Sequence, residues 1–332
     1  MAIENFIRHG DICCKYYIEN KNNPLVIAFA GAGQCLNEND VANEKSPWAY
    51  DFLKKSNINV LAISHVNSSL WYITKDAYYL MDYLADKLIP DFSYVFGYAG
   101  SMGGAGISIH SKTLNISRFL LINPISTLSR TEAPWESRYK YAHGLDWHTV
   151  VHREGNISDG YIVYDPFFGP DKKHALRYPH LSTLTIPGLG HGIAHSLQDM
   201  SMLKMLFNGF YQGNLDERDF LDKVKYKKKF LGLYHDNMRS YNKSRGSVSY
   251  NKYVNILKNY FPDFGRSDGK NNLSLSHYEI NALRDIAIEI ENENLNNAYE
   301  LICIAYKQRP GYFLRTKLKS YRKTLMNLQV KE

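Results

Sequence analysis

The stretch Tyr94-Val-Phe-Gly-Tyr-Ala-Gly-Ser-Met-Gly-Gly-Ala-Gly-Ile-Ser-Ile-His110 decides how the chain is read. It begins as a short apolar strand, passes through a tight turn and continues as a helix. Ser101 stands at the apex, among Ala99, Gly100, Met102, Gly103 and Gly104. Ala99-x-Ser101-x-Gly103 is a variant of the G-x-S-x-G pattern, a turn that holds its serine in a strained backbone conformation. Small residues two positions to either side let strand and helix approach closely. The helix aims its free N-terminal N–H groups at the serine oxygen. Such a serine is a candidate nucleophile, provided a histidine and a carboxylate reach it.

Outward from this turn, apolar runs alternate with helical patterns. Leu25-Val-Ile-Ala-Phe-Ala30, Asn59-Val-Leu-Ala-Ile-Ser64 and Arg118-Phe-Leu-Leu-Ile-Asn123 read as strands buried on both faces. Tyr161–Asp165 and Leu181–Pro187 read as two more, and residues 6–20 as one or two early strands. Helical spacing covers 48–56, Trp71–Ile89, 102–111 and 193–210. Alternating strands and helices predict an α/β domain with a doubly wound, mostly parallel sheet over residues 1–213. Beyond Gly213 the pattern is helical: Asp216–Arg239, Tyr250–Phe261, His277–Asn292, Leu295–Gln308 and Phe313–Leu328. Residues 214–332 are expected to form a separate all-helical domain.

Charge follows the same division. Residues 214–332 hold 22 Lys and Arg against 14 Asp and Glu, an excess of +8 within an overall +7. The run Lys223-Val-Lys-Tyr-Lys-Lys-Lys229 reads as a solvated helix face, or as a contact for an acidic partner. No nucleic-acid module accompanies it, so nucleic-acid binding is not expected. No apolar run reaches membrane-spanning length, and Met1–His9 lacks the apolar core of a secretory leader, so a cytoplasmic location is expected. Cys13, Cys14, Cys35 and Cys303 fit neither zinc spacing nor a disulfide framework, and free thiols are expected. Gly31-Ala-Gly33 follows a strand but lacks the third glycine and the later acid of a dinucleotide site, and no Walker loop occurs. No cofactor or metal is expected.

The order of elbow serine, strand-ending acid and Gly190-His-Gly192 resembles the Ser…Asp…His order of the α/β-hydrolases, and the resemblance spans residues 1–213. Trp71-Tyr72, Gly100-Ser-Met-Gly-Gly104, Val163-Tyr-Asp-Pro166, Asp171 and His174-Ala175 resemble, more narrowly, compact bacterial α/β-hydrolase-like proteins associated with surface polysaccharides. Ala282, Asn296–Tyr306 and Arg309-Pro310 resemble a tetratricopeptide-type helical hairpin with a capping helix.

The resemblance implies a catalytic triad. Ser101 is the expected nucleophile and His191, on a glycine-flanked loop, the general base, with His195 as a fallback. Asp165, ending its strand, is the expected acid, and Asp171 in the same loop is the alternative. The oxyanion hole is expected from the N–H groups of Met102 and Ala32, the latter because Ala30-Gly31 stands where the family often has His-Gly. Residues 125–160 are expected to cover the site, with Trp135, Tyr139, Tyr141, Trp147 and His148 clustered there. Trp71, Tyr72, Trp135 and Trp147 are candidate platforms for a sugar ring or acyl chain, or packing residues. The implied function is a serine esterase cleaving an acyl or acetyl ester, possibly on a carbohydrate. The alternatives are an acyltransferase with the same acyl-enzyme, and a non-catalytic scaffold binding a partner through its basic helices.

Overall fold

The computed structural model describes residues 2–142, 145, 147, 159–228, 231, 233, 234, 237 and 277–329. The expected helix Tyr250–Phe261 and the roles suggested for the side chains of Tyr141 and His148 fall outside what is described. The described chain divides into two compact units, residues 1–195 with 203–220, and residues 196–202 with 221–332. The boundary expected after Gly213 thus falls inside the first unit.

The first unit is built on a single eight-stranded sheet. Its strands are β1 (Ile3–His9), β2 (Ile12–Ile18), β3 (Leu25–Phe29), β4 (Asn59–His65), β5 (Val95–Gly100), β6 (Arg118–Ile122), β7 (Gly160–Tyr164) and β8 (Ser182–Thr185). They lie side by side as β1-β2-β4-β3-β5-β6-β7-β8. β1 pairs antiparallel with β2, and β2 antiparallel with β4; every later pairing is parallel. This is the α/β-hydrolase fold. All residues of β3 and β4 are buried, the pattern of strands covered on both faces.

Helices α1 (Glu38–Ala42), α2 (Tyr50–Lys54), α3 (Lys75–Lys87), α4 (Met102–His110), α5 (Gly169–Ala175), α6 (Ile193–Asp199) and α7 (Leu203–Gln212) follow along the chain. In α3, Ala77, Leu80, Met81 and Leu84 form the buried stripe that its spacing predicts. This helix begins later than the expected Trp71. Thr74 caps it, its Oγ1 accepting the Ala77 N–H at 3.2 Å. Trp71 and Tyr72 precede it with φ of +56° and +61°, incompatible with a right-handed helix. The helix expected over 193–210 is two helices, α6 and α7, separated by Ser201 at φ +57°. On α7, Phe207 and Phe210 meet Tyr98 and Phe96 of β5, with centroids 5.1 and 5.8 Å apart.

The next helix along the chain is α8 (Glu217–Lys227). Three further helices span His277–Ile290, Leu295–Gln308 and Tyr312–Gln329, close to the expected bounds. Leu283, Ala287 and Ile290 share a buried cluster with Ala298, Leu301, Ile302 and Ala305. Asn294 caps the middle helix through the Asn297 N–H. Glu291, in the turn just after the first of these helices, accepts Lys317 Nζ at 2.6 Å and is also bonded by Tyr321, tying that turn to the last helix. The basic run is not wholly solvated: Lys227 Nζ donates to Met200 O, and Lys228 is buried, its ammonium 4.9 Å from the Tyr234 ring centroid. No helix among the described residues is long and apolar enough to cross a membrane.

The site lies at the carboxyl ends of the parallel strands, where α/β sheets present their ligand-binding crevices. β3 runs into Gly31-Ala-Gly33, β5 into Ser101, β6 into Asn123, β7 into Asp165, and β8 into the loop carrying His191.

Candidate active site

Ser101 is the N-cap of α4, with φ +50° and ψ −122°. This is a sparsely populated conformation for a residue with a side chain. It is held by hydrogen bonds on both sides: Ser101 N–H donates to Ile122 O at 3.2 Å, and Ser101 O accepts from Ile125 N–H at 2.9 Å. The glycines explain how the turn closes. A Cβ on Gly103 would stand 2.3 Å from Phe29 O, and one on Gly104 would stand 2.4 Å from Pro124 Cβ. Only glycine lets α4 approach β3 and the residues after β6 so closely.

Ser101 Oγ lies 2.9 Å from His191 Nε2. The other ring nitrogen, Nδ1, is 2.7 Å from Asp171 Oδ2. An ionised carboxylate only accepts, so Nδ1 carries the proton and Nε2 is left to accept from the serine hydroxyl. Asp171 is fully buried, and His191 keeps 33% of its side chain exposed. Asp171 stands in the first turn of α5, a short helix with Pro170 in that same turn. His191 stands in a single 3-10 turn, Gly190–Gly192. His195 is exposed on α6.

Asp165 does not occupy the position expected of it. Its Oδ1 accepts the Phe167 N–H at 2.9 Å, and its Oδ2 accepts the N–H groups of Gly188 and Gly190 at 3.0 and 2.7 Å. The strand-ending carboxylate therefore ties down the loop that carries His191, and the acid beside the imidazole is Asp171. The reason is local. Asp165-Pro166 forms a tight turn that points the carboxylate into the glycine loop, while α5 raises Asp171 to the ring.

Met102 is the first residue of α4, so its N–H has no acceptor within the helix. Ala32 lies in a turn closed by Gln34 N–H to Gly31 O at 3.2 Å, with Gly33 at φ +78°. Gln34 Oε1 takes the Gly31 N–H at 2.7 Å. Ala32 is exposed and lines the pocket that also holds Ser101 and His191.

This pocket has a volume of about 620 Å³ and is further bounded by Ser68, Ser69, Leu70, Trp71, Ile125, Arg138 and Leu145. Of the four aromatic candidates, Trp71 is at the pocket wall. Trp147 packs edge-on to Trp71, centroids 5.9 Å apart. Tyr72 belongs to the core: it is fully buried, its hydroxyl donates to Ala30 O at 2.8 Å, and its ring meets Phe29. Trp135 packs on His174 at 4.6 Å, with Lys173 over its ring. Tyr139 lies under the Arg130 guanidinium, 4.6 Å away.

The Trp71–Tyr72 corner is held by two buried histidines. Tyr72 N–H donates to His65 Nε2 at 2.9 Å, and Tyr72 O is 2.8 Å from His110 Nε2. Burial, helped by nearby His110, lowers the His65 pKa to about 4 despite its bond to Asp11 O, so His65 is a neutral acceptor at ordinary pH.

Three polar residues escape a reading by sequence. Asn123, at φ +41° just after β6, places Nδ2 3.2 and 3.3 Å from the two His191 ring nitrogens. Arg138, in the 3-10 helix Ser137–Ala142, places Nη1 3.1 Å from Nδ1 of the same ring. Glu136 grips Arg138 with both oxygens, at 2.8 Å to Nε and 2.6 Å to Nη2. Burial works to raise the Glu136 carboxyl, but hydrogen bonds from His174 and Arg138 outweigh it and hold it well below the carboxylate range. The only hint in the sequence is an acid and an arginine two residues apart inside an aromatic, irregular stretch.

No family model matches the chain, and no curated protein matches it. Solved structures with a similar trace include the capsule O-acetyltransferase of Neisseria meningitidis serogroup A, 14% identical with a TM-score of 0.38, over 62% of this chain and 94% of that one. Est1E from Butyrivibrio proteoclasticus is 14% identical with a TM-score of 0.41, over 65% of this chain and 99% of that one. An esterase of Pyrococcus furiosus is 14% identical with a TM-score of 0.39, over 64% and 93%. Likeness at this level leaves the chemistry to be argued from the residues themselves.

Proposed function

We propose that this protein is a serine-dependent carboxylic ester hydrolase working through an acyl-enzyme on Ser101. The observation that carries the proposal is the line Ser101 Oγ, His191, Asp171, with spacings of 2.9 and 2.7 Å, behind a serine held at positive φ. As Ser101 Oγ bonds to the carbonyl carbon, its proton passes to His191 Nε2 and the carbonyl electron pair moves onto oxygen. Asp171 holds the tautomer that makes this transfer possible and stabilises the imidazolium. The N–H groups of Met102 and Ala32 receive the oxyanion, each worth about 3 kcal/mol in sites of this kind.

The intermediate collapses, the ester C–O bond breaks and the leaving alcohol takes the proton from Nε2. Water then attacks the acyl carbon and gives a proton to the same nitrogen. Its return to Ser101 Oγ releases the acid and restores the enzyme.

The proposed substrate is a small acyl ester, such as an acetyl ester, of a hydroxyl-rich alcohol of the carbohydrate type. The pocket supports this with apolar walls from Leu70, Ile125 and Leu145, the Trp71 indole, and the hydroxyl residues Ser68 and Ser69. The test is release of acetate from acetylated sugars by the full chain and by Ser101→Ala. Loss of release in the variant is expected; full retention would refute the proposal. Adding unacetylated sugars as acceptors tests transfer, and acetate as the sole product is the expected result.

A further inference from the structure

His191 has two contacts beyond those of a serine–histidine–acid line. Arg138 Nη1 is 3.1 Å from Nδ1 and 3.4 Å from Nε2. Asn123 Nδ2 is 3.2 Å from Nδ1 and 3.3 Å from Nε2. An atom nearly equidistant from both ring nitrogens at this range cannot lie in the ring plane. On one side it would overlap Cε1, and on the other the Cγ–Cδ2 edge. Each nitrogen therefore stands over a ring face. Two atoms at the same height over one face would overlap each other, so Arg138 and Asn123 cover opposite faces. The imidazole is a plate between a guanidinium and an amide, with Ser101 at one nitrogen and Asp171 at the other.

Arg138 is itself fixed. Nη1 and Nη2 each lie 3.3 Å from Asp171 Oδ1, while Nε and Nη2 engage Glu136. Glu136 Oε2 accepts from His174 Nε2 at 2.8 Å. The His174 tautomer follows from Ser126, whose N–H donates to Nδ1 at 3.1 Å and so leaves the proton on Nε2. His174 and Asp171 are three residues apart on α5, so the chain Asp171–Arg138–Glu136–His174 closes on one helix. A cation over the imidazole would by itself oppose the imidazolium. The carboxylates of Glu136 and Asp171 offset it, and the Phe168 ring, 6.2 Å away, adds no charge.

We infer that Arg138 is a positioning residue: clamped by Glu136 and sharing Asp171, it presses on one face of His191 and fixes the imidazole plane toward Ser101. The inference rests on the proposal that Ser101 is the nucleophile. The test is steady-state hydrolysis of p-nitrophenyl acetate by the full chain and its variants, with melting curves to establish folding. Arg138→Met should lower kcat by about 10²-fold, as expected for a misplaced catalytic group, with KM within about threefold. Arg138→Lys should recover part of the loss, and millimolar guanidinium should partly restore Arg138→Ala.

Wild-type kcat in Arg138→Met, or a loss confined to KM, would overturn the inference while leaving the Ser101 proposal standing. An inert wild type that also resists fluorophosphonate would overturn both. Should Arg138→Met not fold, Arg138→Lys and Glu136→Gln carry the test. Both should lower kcat at constant KM, and unchanged kcat in both would refute the role.

Discussion

Asp171 Oδ2 stands 2.7 Å from His191 Nδ1, while the other oxygen of the same carboxylate stands 3.3 Å from Arg138 Nη2. One buried acid thus serves the imidazole and the guanidinium packed on its face. This shared acid sets the first expectation. Asp171→Asn should lose activity by about 10³–10⁴-fold, because an amide N–H facing Nδ1 favours the wrong tautomer. Steady-state kinetics on the purified variant, with a melting curve, checks it.

Asp165→Asn should behave differently. Its carboxylate accepts the N–H groups of Gly188 and Gly190, so an amide there weakens the base of the His191 loop. Hydrogen bonds to a charged acceptor are worth about 1.5–3 kcal/mol. The variant should lose stability of that order in denaturant titration, and its activity should fall less than that of Asp171→Asn.

These two acids show what can be read from one chain. The apolar runs of β3, β4 and β5 and the small residues around Ser101 carry the fold, because burial on both faces and a close strand–helix approach leave local marks. The pairing of His191 with Asp171 leaves none. Asp165 and Asp171 are both acids in the loop after one strand, and only the three-dimensional path of Asp165-Pro166 and α5 separates them. Arg138 and Asn123 are less legible still, because they meet His191 across gaps of 53 and 68 residues. Trp71 and Tyr72 read as the start of a helix because their apolar spacing continues that of α3. The backbone breaks there because His65 and His110 hold it at the Tyr72 N–H and C=O.

The Trp71–Tyr72 corner makes the protein acid-sensitive. The pKa of His65 is lowered in the fold to about 4, against an ordinary value of 6.5. Below pH 6.5 the unfolded chain binds a proton that the fold resists, so stability falls with pH and levels off below about 4. Each unit of difference corresponds to about 1.4 kcal/mol, giving an upper bound of roughly 3–4 kcal/mol. His65→Gln should flatten the dependence of melting temperature on pH between 6.5 and 4. An unchanged slope would show that His65 does not cause the acid sensitivity.

The turn at Gly103 should not tolerate a methyl group. With the added carbon 2.3 Å from Phe29 O, Gly103→Ala must push α4 away from β3. Overpacking of this kind costs about 1–3 kcal/mol, and rigid backbone as the obstacle favours the upper end. Chemical denaturation should show the loss, together with a fall in activity as Ser101 shifts.

All four cysteines are free, but their reactivity should divide. Burial pushes the Cys13 thiol up to about 12 and Cys14 higher still. Cys35 and Cys303 are partly exposed. Titration with a thiol reagent should find Cys13 and Cys14 protected in the native protein and all four modified in denaturant.

The central claim is that Ser101 is a nucleophile activated by His191. The most direct measurement is reaction of the full chain with a fluorophosphonate, followed by mass spectrometry of the peptides. One adduct is expected, on Ser101, absent in Ser101→Ala and formed at least about 10²-fold more slowly in His191→Ala. No adduct on the folded wild-type protein, or an adduct on another residue that persists in Ser101→Ala, would contradict it.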